Sequence, residues 1–117
     1  MDDLPVLDTA IIAELHGLGP NFLAQLVPMF VLAVPDRLTA IRAAIEGQDA
    51  DGLSNAAHAL RGSAANLAGV RVADICRRLE EAALAGRFDD TPADVVVLEA
   101  EIVRMLAAIT SLLQVPV

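Results

Sequence analysis

The sequence predicts an all-α protein: an antiparallel up-down four-helix bundle with an additional short N-terminal helix. Three observations predict it. The 117 residues are 56% hydrophobic with three Phe and neither Trp nor Tyr, a composition poor in the β-branched and aromatic residues that sheets use. Apolar residues recur at steps of three and four along four long stretches, the period of a buried helix face. Short turns marked by Gly or Pro separate those stretches, so neighbouring helices should run antiparallel. The length is that of one domain able to bury its own core, residues 1–117, with no internal repeat or low-complexity tract.

The first helix is read from about Asp8 to His16, with Asp8 as N-cap and Gly17 and Gly19 ending it. The second starts near Pro20, a favoured first helical residue, and runs to about Glu46 before Gly47. Its apolar series is Leu23, Leu26, Phe30, Val34, Leu38, Ile41 and Ile45, and Pro28 and Pro35 within it should bend or split it. The third, about Asp51 to Leu67, carries the stripe Leu53, Ala57, Leu60, Ala64 and Leu67, with His58, Arg61, Gly62 and Ala65 beside it and turned outward. The fourth, about Val70 to Ala85, should bury Val72, Ile75, Cys76, Leu79 and Ala83 before Gly86. After a loop from Arg87, Thr91 caps the last helix. Its seam is Val95, Leu98, Ile102, Met105, Ile109 and Leu112.

Composition narrows the function. The longest apolar stretch, Leu26 to Val34, is interrupted by Pro28 and falls short of the roughly 18–20 uncharged residues of a membrane span. Met1-Asp2-Asp3 is acidic where a secretory signal would be basic. The single Cys76 reads as a packed thiol and allows no internal disulfide. A cytoplasmic protein is expected. The net charge of −8 argues against nucleic acid and against anionic membranes as partners.

The residues that could do chemistry are few. His58, Arg61 and Gly62 share one helix face, because residues three and four apart are neighbours. A mid-helix glycine costs roughly 1 kcal/mol relative to alanine, and close approach of another molecule to the imidazole would explain it. A Glu-x-x-His di-iron pattern, a zinc ligand set and a glycine-rich phosphate loop are all missing. No base and orienter are assembled for Ser or Cys nucleophilic catalysis. His58 as a nucleophile toward phosphorus remains, since neutral imidazole is available near physiological pH. Arg61 would supply a fixed cation suited to phosphate oxygens. His16, at the end of a short helix, has no such company.

These residues resemble a known family. The segment Ala57-His58-Ala59-Leu60-Arg61-Gly62 resembles the His-x-Leu-Lys-Gly signature of histidine-containing phosphotransfer (HPt) domains. The run Ser63 to Leu67 is similar to the small-residue stretch that follows there, and Ile75-Cys76-Arg77-Arg78-Leu79-Glu80 to a Leu-Cys-x-x-Leu-Glu segment. Upstream, Phe30, Ala33-Val34-Pro35 and Leu38 resemble the family's long second helix; the resemblance spans about residues 20 to 112. There are two departures: Arg61 stands where lysine is usual, and Leu67-Ala68-Gly69 stands where Leu-Gly-Ala is usual.

The resemblance implies that His58 is the phosphoacceptor, that Arg61 contacts the phosphoryl group and that Gly62 leaves room for a docking partner. It also implies that Glu80 lies near the ring and orients it. The chain would be a phosphoryl carrier rather than an enzyme, with no cofactor of its own and Mg2+ on the partner. Partners would be receiver domains of response regulators and of a hybrid histidine kinase, met by a monomer. Leu18, Phe22, Met29 and Ala65 are candidate docking residues. A non-phosphorylated helical adaptor and a detached HPt domain of a chemotaxis-type kinase stay open as alternatives. A sensor kinase's dimerising hairpin fits less well, because Ala59 follows His58 where an acidic residue is usual.

Overall fold

The computed structural model describes residues 3–19 and 21–113. They form five helices: α1 (Thr9–Gly17), α2 (Phe22–Glu46), α3 (Ala50–Asn66), α4 (Val70–Leu84) and α5 (Thr91–Leu113). Among the described residues there is no strand, only an isolated β-bridge between Leu7 and Gly69.

The helix starts follow capping chemistry. Asp8 accepts from the Ala10 amide at 2.9 Å, and Asp49 accepts from the Gly52 amide at 2.9 Å, each satisfying an otherwise orphaned donor. Pro20 lies outside the described residues; α2 begins at Phe22 after Asn21. Pro28 and Pro35 do not split α2, which is continuous over 25 residues. The carbonyls that lose their donors belong to Ala24 and Val31, and both residues are exposed, so water can take the place of the missing amide. Thr91 does not cap α5. Its hydroxyl donates to the Phe88 carbonyl at 2.7 Å, while the Asp90 carbonyl opens the helix by accepting from the Asp94 amide at 3.0 Å.

Helices α3 and α4 bury the stripes their spacing predicts. Leu53, Ala57, Leu60, Ala64 and Leu67 are buried, as are Val72, Ile75, Cys76, Leu79 and Ala83. On α5, Val95, Leu98, Ile102, Met105 and Ile109 are buried, but Leu112 is not. The last turn of α5 is exposed throughout. On α2, Leu23, Phe30 and Ile41 reach the core, whereas Leu26, Val34, Leu38 and Ile45 are half-buried against it. By length and composition alone α2 could cross a membrane, with mean hydropathy 1.3 over its most apolar window. Only 17% of that window is buried in the bundle, and Met29, Val31 and Leu32 of α2 are exposed.

Helices α2, α3, α4 and α5 pack in chain order and α5 meets α2 again, while α1 rests on α2. The α3–α4 pairing is the most extensive. Ala56, Ala57 and Ala64 are buried on α3, small side chains that let neighbouring helices approach closely. This closeness carries side chains of α4 to the outer face of α3.

The turns show where the chain is strained. Gly86, after α4, takes φ +67°, a conformation open to glycine. The two other left-handed turn residues are Gln48 (φ 51°) and Ala68 (φ 63°). Glycine could not simply move from 69 back to 68. A Cβ at Gly69 would sit 2.5 Å from Met105 Sδ and 3.3 Å from the Ala64 carbonyl, so a side chain at 69 would have to displace the buried Met105 side chain. The Leu67-Ala68-Gly69 order thus keeps the turn, with Ala68 accepting the unfavourable φ. Gln48 is exposed and has no such excuse. Gln48→Gly is expected to stabilise the fold by about 0.5–1 kcal/mol, read as a higher urea midpoint with an unchanged slope.

Candidate functional site

His58, Gly62 and Ala65 are exposed and Arg61 half-buried, all on the outer side of α3 next to its buried stripe. The α3–α4 contact brings Glu80 to the same place. His58 Nδ1 lies 2.8 Å from Glu80 Oε1, and Arg61 NH1 lies 2.9 Å from Glu80 Oε2. Arg61 NH2 is also 3.2 Å from His58 Nδ1. These contacts cannot all be hydrogen bonds to one tautomer. A carboxylate only accepts and a guanidinium only donates, so Nδ1 serves one of them. The shorter, charge-assisted contact to Glu80 wins, and Nδ1 carries the proton. The Arg61 contact to the ring is then proximity, with its charge held by the carboxylate.

This assignment decides what the imidazole can do. With Nδ1–H donating to Glu80, the lone pair is on Nε2, for which no partner occurs among the described residues. The His58 side chain is 67% exposed and Glu80 only 12%, so a fixed, shielded carboxylate holds an accessible ring. Arg61, at 37%, borders the ring with its positive charge. Glu80 and Arg61 balance each other's charge beside the ring.

Cys76 lies on α4, one turn before Glu80, and is fully buried. Burial first, then the Glu80 charge, raises its thiol from the ordinary 9.0 to about 12, against a smaller opposing pull from Arg61. Thiolate is the reactive form, so Cys76 belongs to packing beneath the site. A thiol reagent such as DTNB should modify native protein at pH 8 only as fast as the chain unfolds, and denatured protein at once. Rapid modification of the native state would place the thiol elsewhere.

Gly62 occupies an open position: an added Cβ would meet nothing within 4 Å. No internal packing demands a glycine there. His58, Gly62 and Asn66 follow one another at four-residue steps along the exposed ridge of α3. Apolar grooves flank it. One, of about 240 Å³, lies against α2 and includes Leu26, Met29, Phe30, Ser63 and Asn66. The other, of about 230 Å³, lies against α1 and includes Ile11, Ala65, Ala68 and Ala73. Met29 and Ala65 therefore border the site as docking candidates. Leu18 and Phe22 are exposed rather than packed in the core, but neither lines either of these two grooves. Asn66 and Ile11 were missed. Four-residue spacing from His58 could have found Asn66, whereas nothing local marks Ile11.

The match to a family is direct. The Hpt domain model covers residues 25–110, and the chain belongs to the Hpt domain family. Its structure is similar to the crystal structure of histidine-containing phosphotransfer protein B (HptB) from Pseudomonas aeruginosa PAO1. The two share 29% identity over 96% of this chain and 97% of that one, with a TM-score of 0.84. No curated protein sequence matches the chain.

Proposed function

We propose that this chain is a histidine phosphotransfer protein of a multistep phosphorelay and that His58 is its phosphoacceptor. The observation that carries the assignment is the 2.8 Å contact of Nδ1 with the shielded Glu80, which leaves Nε2 as the nucleophile. A receiver domain bearing a phosphoaspartate docks over the ridge of α3. Nε2 attacks phosphorus in line, the N–P bond forms, and the acyl-phosphate P–O bond breaks to return the aspartate carboxylate. The positive charge that develops on the ring is met by Glu80 through Nδ1–H. Arg61, adjacent to both, turns its guanidinium toward the incoming phosphoryl oxygens. Reversal onto a second receiver completes the relay. Gly62 keeps the ridge low enough for either partner.

In this reading the partners are receiver domains of a hybrid histidine kinase and of response regulators. The chain acts as a cytoplasmic monomer and a phosphoryl carrier. Mg2+ and most of the catalytic groups come from the receiver, where transfer is mainly positioning and charge neutralisation. The four long helices form an antiparallel up-down bundle with α1 packed across one end, so that the face of α3 bearing His58 is presented to the partner. Incubation with a phosphorylated receiver and Mg2+ should leave acid-labile, alkali-stable phosphate on the chain. Binding without labelling would favour the adaptor reading instead.

A further inference from the structure

Residues 4–8 precede α1 and pass over the turn between α3 and α4. Val70 donates to the Val6 carbonyl at 3.2 Å and Asp8 to the Ala68 carbonyl at 2.8 Å, on either side of the Leu7–Gly69 bridge. One side chain ties this strap to α5. Arg71 on α4 donates from Nε to the Leu4 carbonyl at 2.7 Å and points NH1 at Glu101 Oε1 of α5, 3.7 Å away. Glu101 is 1% exposed and also pairs with Arg104 through Oε1. Its Oε2 has no hydrogen-bond partner among the described residues. A buried, incompletely satisfied carboxylate is costly, and the adjacent Leu98, Ile102 and Met105 would serve a core without it.

The strap matters because of what hangs from it. Among the described helices, α1 packs on α2 alone, and its other anchor is the strap that ends in its own N-cap, Asp8. Helix α1 in turn supplies Ile11, the wall of the groove opposite Ala65. That groove adjoins the exposed ridge of α3.

We propose that Arg71 and Glu101 are positioning residues for phosphotransfer, an inference that rests on the phosphotransfer reading above. Glu101 holds Arg71, Arg71 holds the strap, and the strap fixes the Ile11 wall against which a receiver docks. Neither residue touches the reacting atoms. Their loss weakens docking and spares the chemical step.

The test is transfer from a phosphorylated receiver to the full chain, measured against receiver concentration. Arg71→Ala should raise the half-saturating concentration about five- to tenfold, the loss of one well-placed interface side chain, while the saturating rate stays within about twofold. Glu101→Gln, which keeps the shape and removes the charge holding Arg71, should shift it the same way. Ile11→Ala should match Arg71→Ala, and the double variant R71A/I11A should lose no more than either, because both act on one contact. Amide exchange at Asp8 and Val70 should quicken in Arg71→Ala while the α3 core stays protected. Unchanged half-saturation, additive losses, or a fall confined to the saturating amplitude would overturn the proposal and leave phosphotransfer standing. Failure of the wild-type chain to label would instead remove the reading beneath it.

Discussion

His58→Gln abolishes labelling by a phosphorylated receiver and leaves the fold intact. Glutamine carries an amide nitrogen whose lone pair is delocalised, so the side chain has no nucleophile to replace Nε2. Labelling should drop to background, a loss of at least about three orders of magnitude, comparable to removing the reacting group of other covalent mechanisms. Stability should barely move. The His58 side chain is largely exposed, and exposed substitutions usually stay within about 0.5 kcal/mol. The substitution also keeps the electrostatics beneath the ring, because the new amide can donate to Glu80 and Arg61 remains at Oε2. Phosphate counted on intact protein after alkaline quench, beside the helical circular dichroism signal, separates the two effects. A variant that still labels fully would show that another residue accepts the phosphoryl group.

What the sequence made legible follows the reach of helical periodicity. His58, Arg61 and Gly62 share a face because three- and four-residue steps place them there, and the same rule located the buried stripes of α3 and α4. Glu80 could not be placed that way. It lies 22 positions from His58, on another helix, and only the family resemblance connected the two. What joins them is the α3–α4 pairing, the most extensive between helices. The errors have similar causes. Thr91 has the right residue type for a cap, but its hydroxyl finds the Phe88 carbonyl. Pro28 and Pro35 carry the usual signal for a bend or a split, and the split does not occur because the carbonyls they free belong to exposed residues. Glu101 was invisible because glutamate normally marks a solvated face, and only Arg71 of α4 and Arg104 of its own helix offset its burial. Leu18 and Phe22 are exposed but line neither of the two grooves beside the site.

Replacing Gly62 should move stability and transfer in opposite directions. Gly62→Ala removes the conformational disadvantage of glycine in a helix interior, worth up to about 1 kcal/mol, and its methyl group meets nothing within 4 Å. For a domain of this size that corresponds to a rise in Tm of roughly 4 °C. Gly62→Leu should also be at least as stable as wild type, since leucine is a good helix former and the position is open. Transfer responds to a different surface. The leucine side chain would stand on the ridge one turn from His58, where a receiver must come close enough for in-line attack. A displacement of about 1 Å from that geometry is enough to cost roughly a hundredfold, and alanine should cost less. The loss must appear in the bimolecular step: the phosphorylated variant, once formed, should hydrolyse at the wild-type rate, because His58, Arg61 and Glu80 are unchanged. Faster transfer or an unaltered rate in a stabilised Gly62→Leu chain would mean that the partner approaches elsewhere. A parallel fall in Tm and rate would assign the glycine to packing, against the empty space above it.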